Sequence, residues 1–579
     1  MSAAETAVRA PGPDAPPPRR SGRSLWPAAV AGLFAAALVL RLWGSRTGLP
    51  YVYNADENSH FVPRAIGMFG HSLNPDYFIN PPAYTYVLHA LFSLRWGTDP
   101  AVIGGAFAAD PTDAFALARG ASAFLGALAV ALTAIAGARL FDDRRVGALA
   151  GALLAVAFLP VHYSHFALND APTLAPLAAA LVGIAGIYRT GRLREYVLAG
   201  LGLGVAIATK YTAGIVLVTL IAAALVAPVA HARLRNLAFA IALMCAGFAA
   251  ANPYALLDHQ TFREGLEKQT ETAGEEGGKL GLANTSGWRY YLGTFTWGLG
   301  WLPSLFALGG GIALAVKHRR LAVLLAPAPV LLVLYLGEQS RFFARWMLPI
   351  YPLLCLLAAW GVVALASRLR VRTAIPLAAL SALVLAQGLV FSVHNDLVLA
   401  RADTRWVARE WMTQNIPAGS NIVVEPIAPD QWAMDPGRPL FSATGSGNRW
   451  NKWRTSRSCI NNDGTEITSG ACRVVKLEDY ERTTRPALVE SYAKGGFCWV
   501  VTGSTQFGRA YADPQEVPNA LRYYDELRRR GEVVYRISPY GDGSRRVPFS
   551  FDYSFNYYPL TYERPGPEII VYRLPDCRP

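Results

Sequence analysis

The chain has 579 residues, 52% of them hydrophobic and only 16% charged, against about 25% charged in an ordinary soluble domain. That shortage of charge, with a mean hydropathy of +0.23, excludes a wholly soluble protein. The net charge of +13 does not point to nucleic acid, because many Arg and Lys residues lie in short loops between apolar runs, where they act as topology signals.

Taken in chain order, residues 1–24 are rich in Pro, Ala and Arg and have no apolar core. They read as a disordered tail. A helix needs about 20 apolar residues to cross a bilayer. Runs near that length occur at 25–43, 115–139, 146–161, 172–188, 196–209, 212–228, 237–251, 291–316, 321–336, 347–366 and 374–393. They predict about eleven transmembrane helices, with 196–228 the hardest stretch to divide. The first run is too long for a signal-peptide core and is expected to stay as an anchor. Residues 25–394 therefore read as a membrane domain, with a long connecting segment at 44–114. Residues 395–579 have ordinary soluble composition.

Orientation follows from the basic loops. Arg19, Arg20 and Arg23 precede the first span. Arg139, Arg144 and Arg145 follow the second, and Arg189, Arg192 and Arg194 the fourth. Arg233 and Arg235 follow the sixth, Lys317, Arg319 and Arg320 the eighth, and Arg368, Arg370 and Arg372 the tenth. With alternating spans all six clusters share one side, which the positive-inside rule makes the cytoplasm. The C-terminal domain is then expected outside, as are the segments 44–114, 252–290 and 337–346. Cys459, Cys472, Cys498 and Cys577 all fall in that domain, consistent with one or two disulfides. None of their spacings resembles a zinc site, and Ala- and Arg-rich usage suggests a GC-rich bacterial genome, hence a plasma-membrane location.

The outer side collects the unusual chemistry. Asp56 and Glu57 follow the first span, with His60 just beyond, and the stretch Asn80-Pro81-Pro82-Ala83-Tyr84 comes later. Adjacent acids beside a membrane helix mark a pathway or reaction site, or else the first turn of a surface helix. The next loop carries His162, His165, Asn169 and Asp170. Its histidines read as structural rather than metal-binding, since no carboxylate lies at ligand spacing. Lys210, Tyr211, Arg341 and Arg345 complete the set. Singly, the cations would serve as interfacial anchors. Together, acids and cations on one membrane face suit sugar transfer from a polyprenyl phosphate: Arg and Lys meet the leaving phosphate, and a carboxylate takes the acceptor's proton.

At these residues the sequence resembles the C-type membrane glycosyltransferases. It is most similar to the branch of protein O-mannosyltransferases and lipid A aminoarabinose transferases, glycosyltransferase family 39. The matching motifs are Asp56-Glu57, Asn80-Pro81-Pro82-Ala83-Tyr84, Leu168-Asn169-Asp170-Ala171-Pro172, Ala208-Thr209-Lys210-Tyr211-Thr212 and Arg345-Trp346-Met347-Leu348-Pro349-Ile350-Tyr351-Pro352. They run in the family's order over about 370 residues. Asn80 departs from the Lys that aminoarabinose transferases usually carry before the paired prolines.

The resemblance implies a polytopic α-helical membrane fold and a polyprenyl-phosphate sugar donor, with a lipid, polysaccharide or protein as acceptor. It implies Asp56 as general base, with Glu57 and Asp170 shaping the site. Lys210, Arg345 and Arg341 would contact the donor phosphate, and His60, Asn80, Tyr84 and Tyr211 the substrates. No cofactor is expected, and a divalent ion has no motif of its own. Competing readings are a transporter or flippase and a non-catalytic binder of lipid-linked glycans.

From Thr404 the pattern turns to mixed α/β. An amphipathic helix at 405–412 is followed by β-rich runs at 421–425, 498–502, 532–537 and 568–573. The segment 442–470 reads as a long loop. The aromatic-rich 549–562 suits either a sugar-stacking platform or ordinary packing.

Overall fold

The computed structural model describes residues 25–228, 233–273, 280–282, 285–369, 374–435, 448–453, 457–458, 473–474, 480–550, 552 and 558–577. The tail 1–24, Cys459, Cys472 and most of 442–470 lie outside them. Every apolar run predicted from the sequence coincides with a helix or a broken succession of two or three helical elements. Among the described residues, six helical segments are long and apolar enough to cross a membrane, and four apolar helices are shorter.

Small residues let these helices approach closely, the means by which apolar helices associate where burial alone gives no drive. The helix Leu193–Thr209 meets Arg233–Ala251 through Gly200 and Gly204. A Cβ there would lie 2.3 Å from the Ala240 carbonyl oxygen and 2.2 Å from that of Met244.

Several helices are interrupted. Leu193–Thr209 stops at Lys210, which adopts an extended backbone before the 3₁₀ turn Tyr211–Val216. A second 3₁₀ turn, Ala344–Ile350, precedes Tyr351–Ala366, and Pro349 and Pro352 remove backbone donors that a continuous α-helix would need. Both breaks carry a cation of the predicted site. The segment 44–114 is more helical than a connecting loop, with helices at Ala55–Ser59, Phe61–Gly67, Ala83–Trp96 and Pro100–Ala109.

The domain boundary also shifts. The last bundle helix, Ala374–Leu399, runs beyond residue 394, so Asn395 and Asp396 belong to the bundle. There they satisfy the two histidines of the earlier loop: His162 Nδ1 lies 2.8 Å from Asn395 Oδ1, and His165 Nε2 lies 3.1 Å from Asp396 Oδ1. Arg41, buried in the first helix, donates to the carbonyls of Leu154 and Ala155.

The C-terminal domain opens with the helix Thr404–Asn415, capped by Asp403. Its sheet comprises β1 (Asn421–Val424), β2 (Asn451–Lys452), β3 (Trp499–Gly503), β4 (Glu532–Ile537) and β5 (Ile569–Arg573), in the order β2-β1-β3-β5-β4. β1 runs parallel to β2 and β3, whereas β5 runs antiparallel to β3 and β4. Four of these strands fall on the predicted β-rich runs. Cys498 pairs with Cys577.

Glu425, just after β1, is buried and accepts hydrogen bonds from the Gly503 N–H at 2.9 Å and the Tyr524 hydroxyl at 2.8 Å. Burial pushes its carboxyl from 4.5 up to about 8, with the Glu481 carboxylate adding to the rise. The folded state therefore holds a proton that the unfolded chain releases. The resulting stability is complete below pH 4.5 and is lost as pH rises through 8, a change on the order of a few kcal/mol. Glu425→Gln keeps an acceptor but cannot ionise, so thermal melts of the full chain at pH 6 and pH 9 are expected to converge in the variant and diverge in the wild type. Equal divergence in both would show that Glu425 is not the responsible group.

Candidate active site

The first acids sit at a helix start. Asn54 caps Ala55–Ser59, its Oδ1 accepting from the N–H groups of Asp56 (3.1 Å) and Glu57 (3.2 Å). This turn splits the neighbours' directions. Asp56 faces a cavity of about 290 Å³ between the bundle and the C-terminal domain. Glu57 points away and is fully buried against Arg119, which grips it at 2.7 and 2.8 Å. Arg119 also donates to the carbonyls of Ser45 and Thr47, and the Ala167 N–H donates to Glu57. Glu57 thus ties three segments together beneath the site rather than facing a substrate.

Asp170, Lys210 and Arg345 line the same cavity. Arg345 Nη2 donates to Asp56 Oδ2 at 2.5 Å, and its Nε lies 4.0 Å from Asp170 Oδ2. Lys210 Nζ donates to Asp170 Oδ1. The neighbouring Asn169 donates to the Thr209 carbonyl at 2.7 Å, joining the loop that bears Asp170 to the helix end that bears Lys210. The guanidinium of Arg345 also rests over the Phe343 ring at 4.7 Å. Two carboxylates and two cations therefore alternate around one space, each charge matched at close range.

His60 and Asn80 line the cavity as well, with Tyr77 between them: His60 stacks on Tyr77 at 4.9 Å, and Asn80 donates to its hydroxyl at 2.9 Å. Burial holds the His60 imidazole below its usual value, against the pull of Asp56. Arg341 lines the cavity too.

Two predicted substrate contacts fall elsewhere. Tyr84 is buried, with its hydroxyl committed to the Ala118 carbonyl at 2.7 Å, and it is absent from the cavity wall. Its place as the second residue of Ala83–Trp96 aims it at the bundle. Tyr211 likewise donates to the Phe78 carbonyl at 2.9 Å and bridges the connecting segment to the helix break. Among the described residues, no group of three or more His, Cys, Asp or Glu side chains is placed to hold a metal ion.

Residues 102–248 match the family model described as dolichyl-phosphate-mannose-protein mannosyltransferase. The oligosaccharyltransferase of Archaeoglobus fulgidus, in a complex with Zn and sulfate, superposes with a TM-score of 0.52 at 14% identity, over 88% of this chain and 72% of its own. The chain shares the fold of this membrane oligosaccharyltransferase. Also similar is ArnT from Cupriavidus metallidurans bound to undecaprenyl phosphate, at 14% identity over 95% of this chain and 99% of that one, with a TM-score of 0.47. The S. cerevisiae Pmt1-Pmt2 complex bound to the sugar donor matches at 21% identity over 42% of this chain and 35% of its own, with a TM-score of 0.32. No curated protein matches the sequence.

Sequence reasoning missed part of this site. Arg119 is a lone cation within an apolar run, a signal that it needs an internal partner. The roof of the cavity, which includes Asp403, Arg405, Gln506 and Arg509, comes from the C-terminal domain. These residues lie far from the membrane motifs in sequence, and no local pattern announces them.

Proposed function

We propose that the enzyme transfers a sugar from a polyprenyl-phosphate carrier to an acceptor hydroxyl on the extracytoplasmic face of a bacterial plasma membrane, with Asp56 as general base. The observation that carries this reading is the convergence of Asp56, Asp170, Lys210 and Arg345 in one cavity at the ends of membrane helices. The family model supports the donor class, since its description names a lipid-phosphate sugar. The basic loops, all on one side of the sequence-derived topology, support the orientation.

Asp56 removes the acceptor hydroxyl's proton as that oxygen bonds to the anomeric carbon. The bond from the anomeric carbon to the phosphate oxygen breaks, and its electron pair leaves on the phosphate, where Arg345 and Lys210 meet the charge. Donor phosphate competes with Asp56 for Arg345, so donor binding itself releases the carboxylate to act as base.

The test is label transfer by the purified chain from a panel of polyprenyl-phosphate sugars, together with binding of undecaprenyl phosphate. Wild type is expected to use at least one donor, and Lys210→Met is expected to bind undecaprenyl phosphate about ten- to a hundred-fold more weakly. A chain that neither transfers from any donor nor binds the carrier would sink the reading.

A further inference from the structure

A second cavity, of about 190 Å³, lies within the C-terminal domain and shares Arg405, Thr505 and Tyr558 with the first. Its walls include Tyr540, Phe549 and Tyr562. Tyr540 packs edge-on to Tyr562 at 4.9 Å. The Phe549 ring is seated against two glycines: a Cβ at Gly508 or Gly281 would come within 2.4 or 2.8 Å of it. That space is reserved for an aromatic side chain, and it places the ring at the cavity wall.

The polar part of the wall is equally ordered. Arg546 donates to both oxygens of Glu568, at 2.8 and 3.1 Å. Arg405 donates to both oxygens of Asp403, at 2.8 and 2.7 Å. Each cation is thus neutralised by its own carboxylate, so the wall has no spare charge to attract a phosphate. Fixed charge pairs also make it a poor bed for an acyl chain, which would strip their hydration without replacing it. Aromatic faces beside fixed donors and acceptors are what a neutral, hydroxyl-rich ligand requires: sugar C–H faces lie on the rings, while hydroxyls bridge guanidinium and carboxylate.

From this geometry we infer that the second cavity is the acceptor subsite and that the acceptor is a carbohydrate chain, threaded past Arg405 and Tyr558 to present a hydroxyl to Asp56. The inference rests on the transfer reading above, but it can be tested without turnover. The full chain in detergent is applied to an array of arabinan, galactan, mannan and glucan oligosaccharides. Wild type and Asp56→Asn are expected to bind the same glycan class. Phe549→Leu and Arg546→Gln are expected to bind it about ten-fold more weakly, while retaining wild-type affinity for undecaprenyl phosphate. Arg546 is largely exposed, so its variant keeps the test valid should Phe549→Leu fail to fold. Binding to no glycan on the array, glycan binding indifferent to both substitutions, or capture of peptides instead would overturn the proposal. None of these results bears on whether Asp56 is the base.

Discussion

Asp56→Asn is expected to lower sugar transfer by about 10²- to 10⁴-fold while leaving carrier binding within a few-fold of wild type. Asn matches the carboxylate in size and still offers an oxygen to Arg345, so the 2.5 Å contact can persist in weakened form. What it lacks is basicity. The cavity also loses one negative charge that competes for Arg345, which favours the donor phosphate and prevents a trivial loss through binding. A rate measured at saturating donor separates the two effects. Transfer at the wild-type rate would remove Asp56 from the mechanism, whereas a loss confined to donor affinity would recast it as a binding residue.

The second large effect is on folding. Arg119→Leu is expected to cost about 3–5 kcal/mol, because removing one partner of a buried ion pair strands the other. Glu57 would keep only the Ala167 N–H, and the carbonyls of Ser45 and Thr47 would lose their shared donor. The double variant Arg119→Leu with Glu57→Leu is expected to recover part of the loss by removing the stranded charge. Melting curves of the detergent-solubilised chain provide the measurement. A single variant as stable as wild type would mean the connecting segment is anchored by other contacts.

Much of the fold was legible because two physical signals are strong. Apolar length locates membrane helices, and each predicted run is helical. Alternation and β-branched composition located β1, β3, β4 and β5, while the two-residue β2 was too short to leave a pattern. At the site, Asp56, Asp170, Lys210 and Arg345 were identifiable as charges that a membrane face does not carry without reason. Local sequence could not say which way each side chain turns. Glu57 sits beside Asp56 yet faces the opposite direction, and Tyr84 follows the paired prolines yet turns inward. Those outcomes depend on where Arg119 and Ala118 arrive from another helix.

The last bundle helix, Ala374–Leu399, carries Asn395 and Asp396 into contact with the turn at His162 and His165. A smooth apolar helix could rotate about its axis with little penalty, but these polar teeth engage at a single azimuth. Only four residues separate that helix from Thr404, whose N–H donates to the Pro565 carbonyl. The bearing of the whole C-terminal domain is therefore set by the end of the bundle, like a hand fixed to a keyed shaft. Asn395→Leu combined with Asp396→Leu would free the shaft, and its first symptom is a roof out of register with an otherwise intact floor.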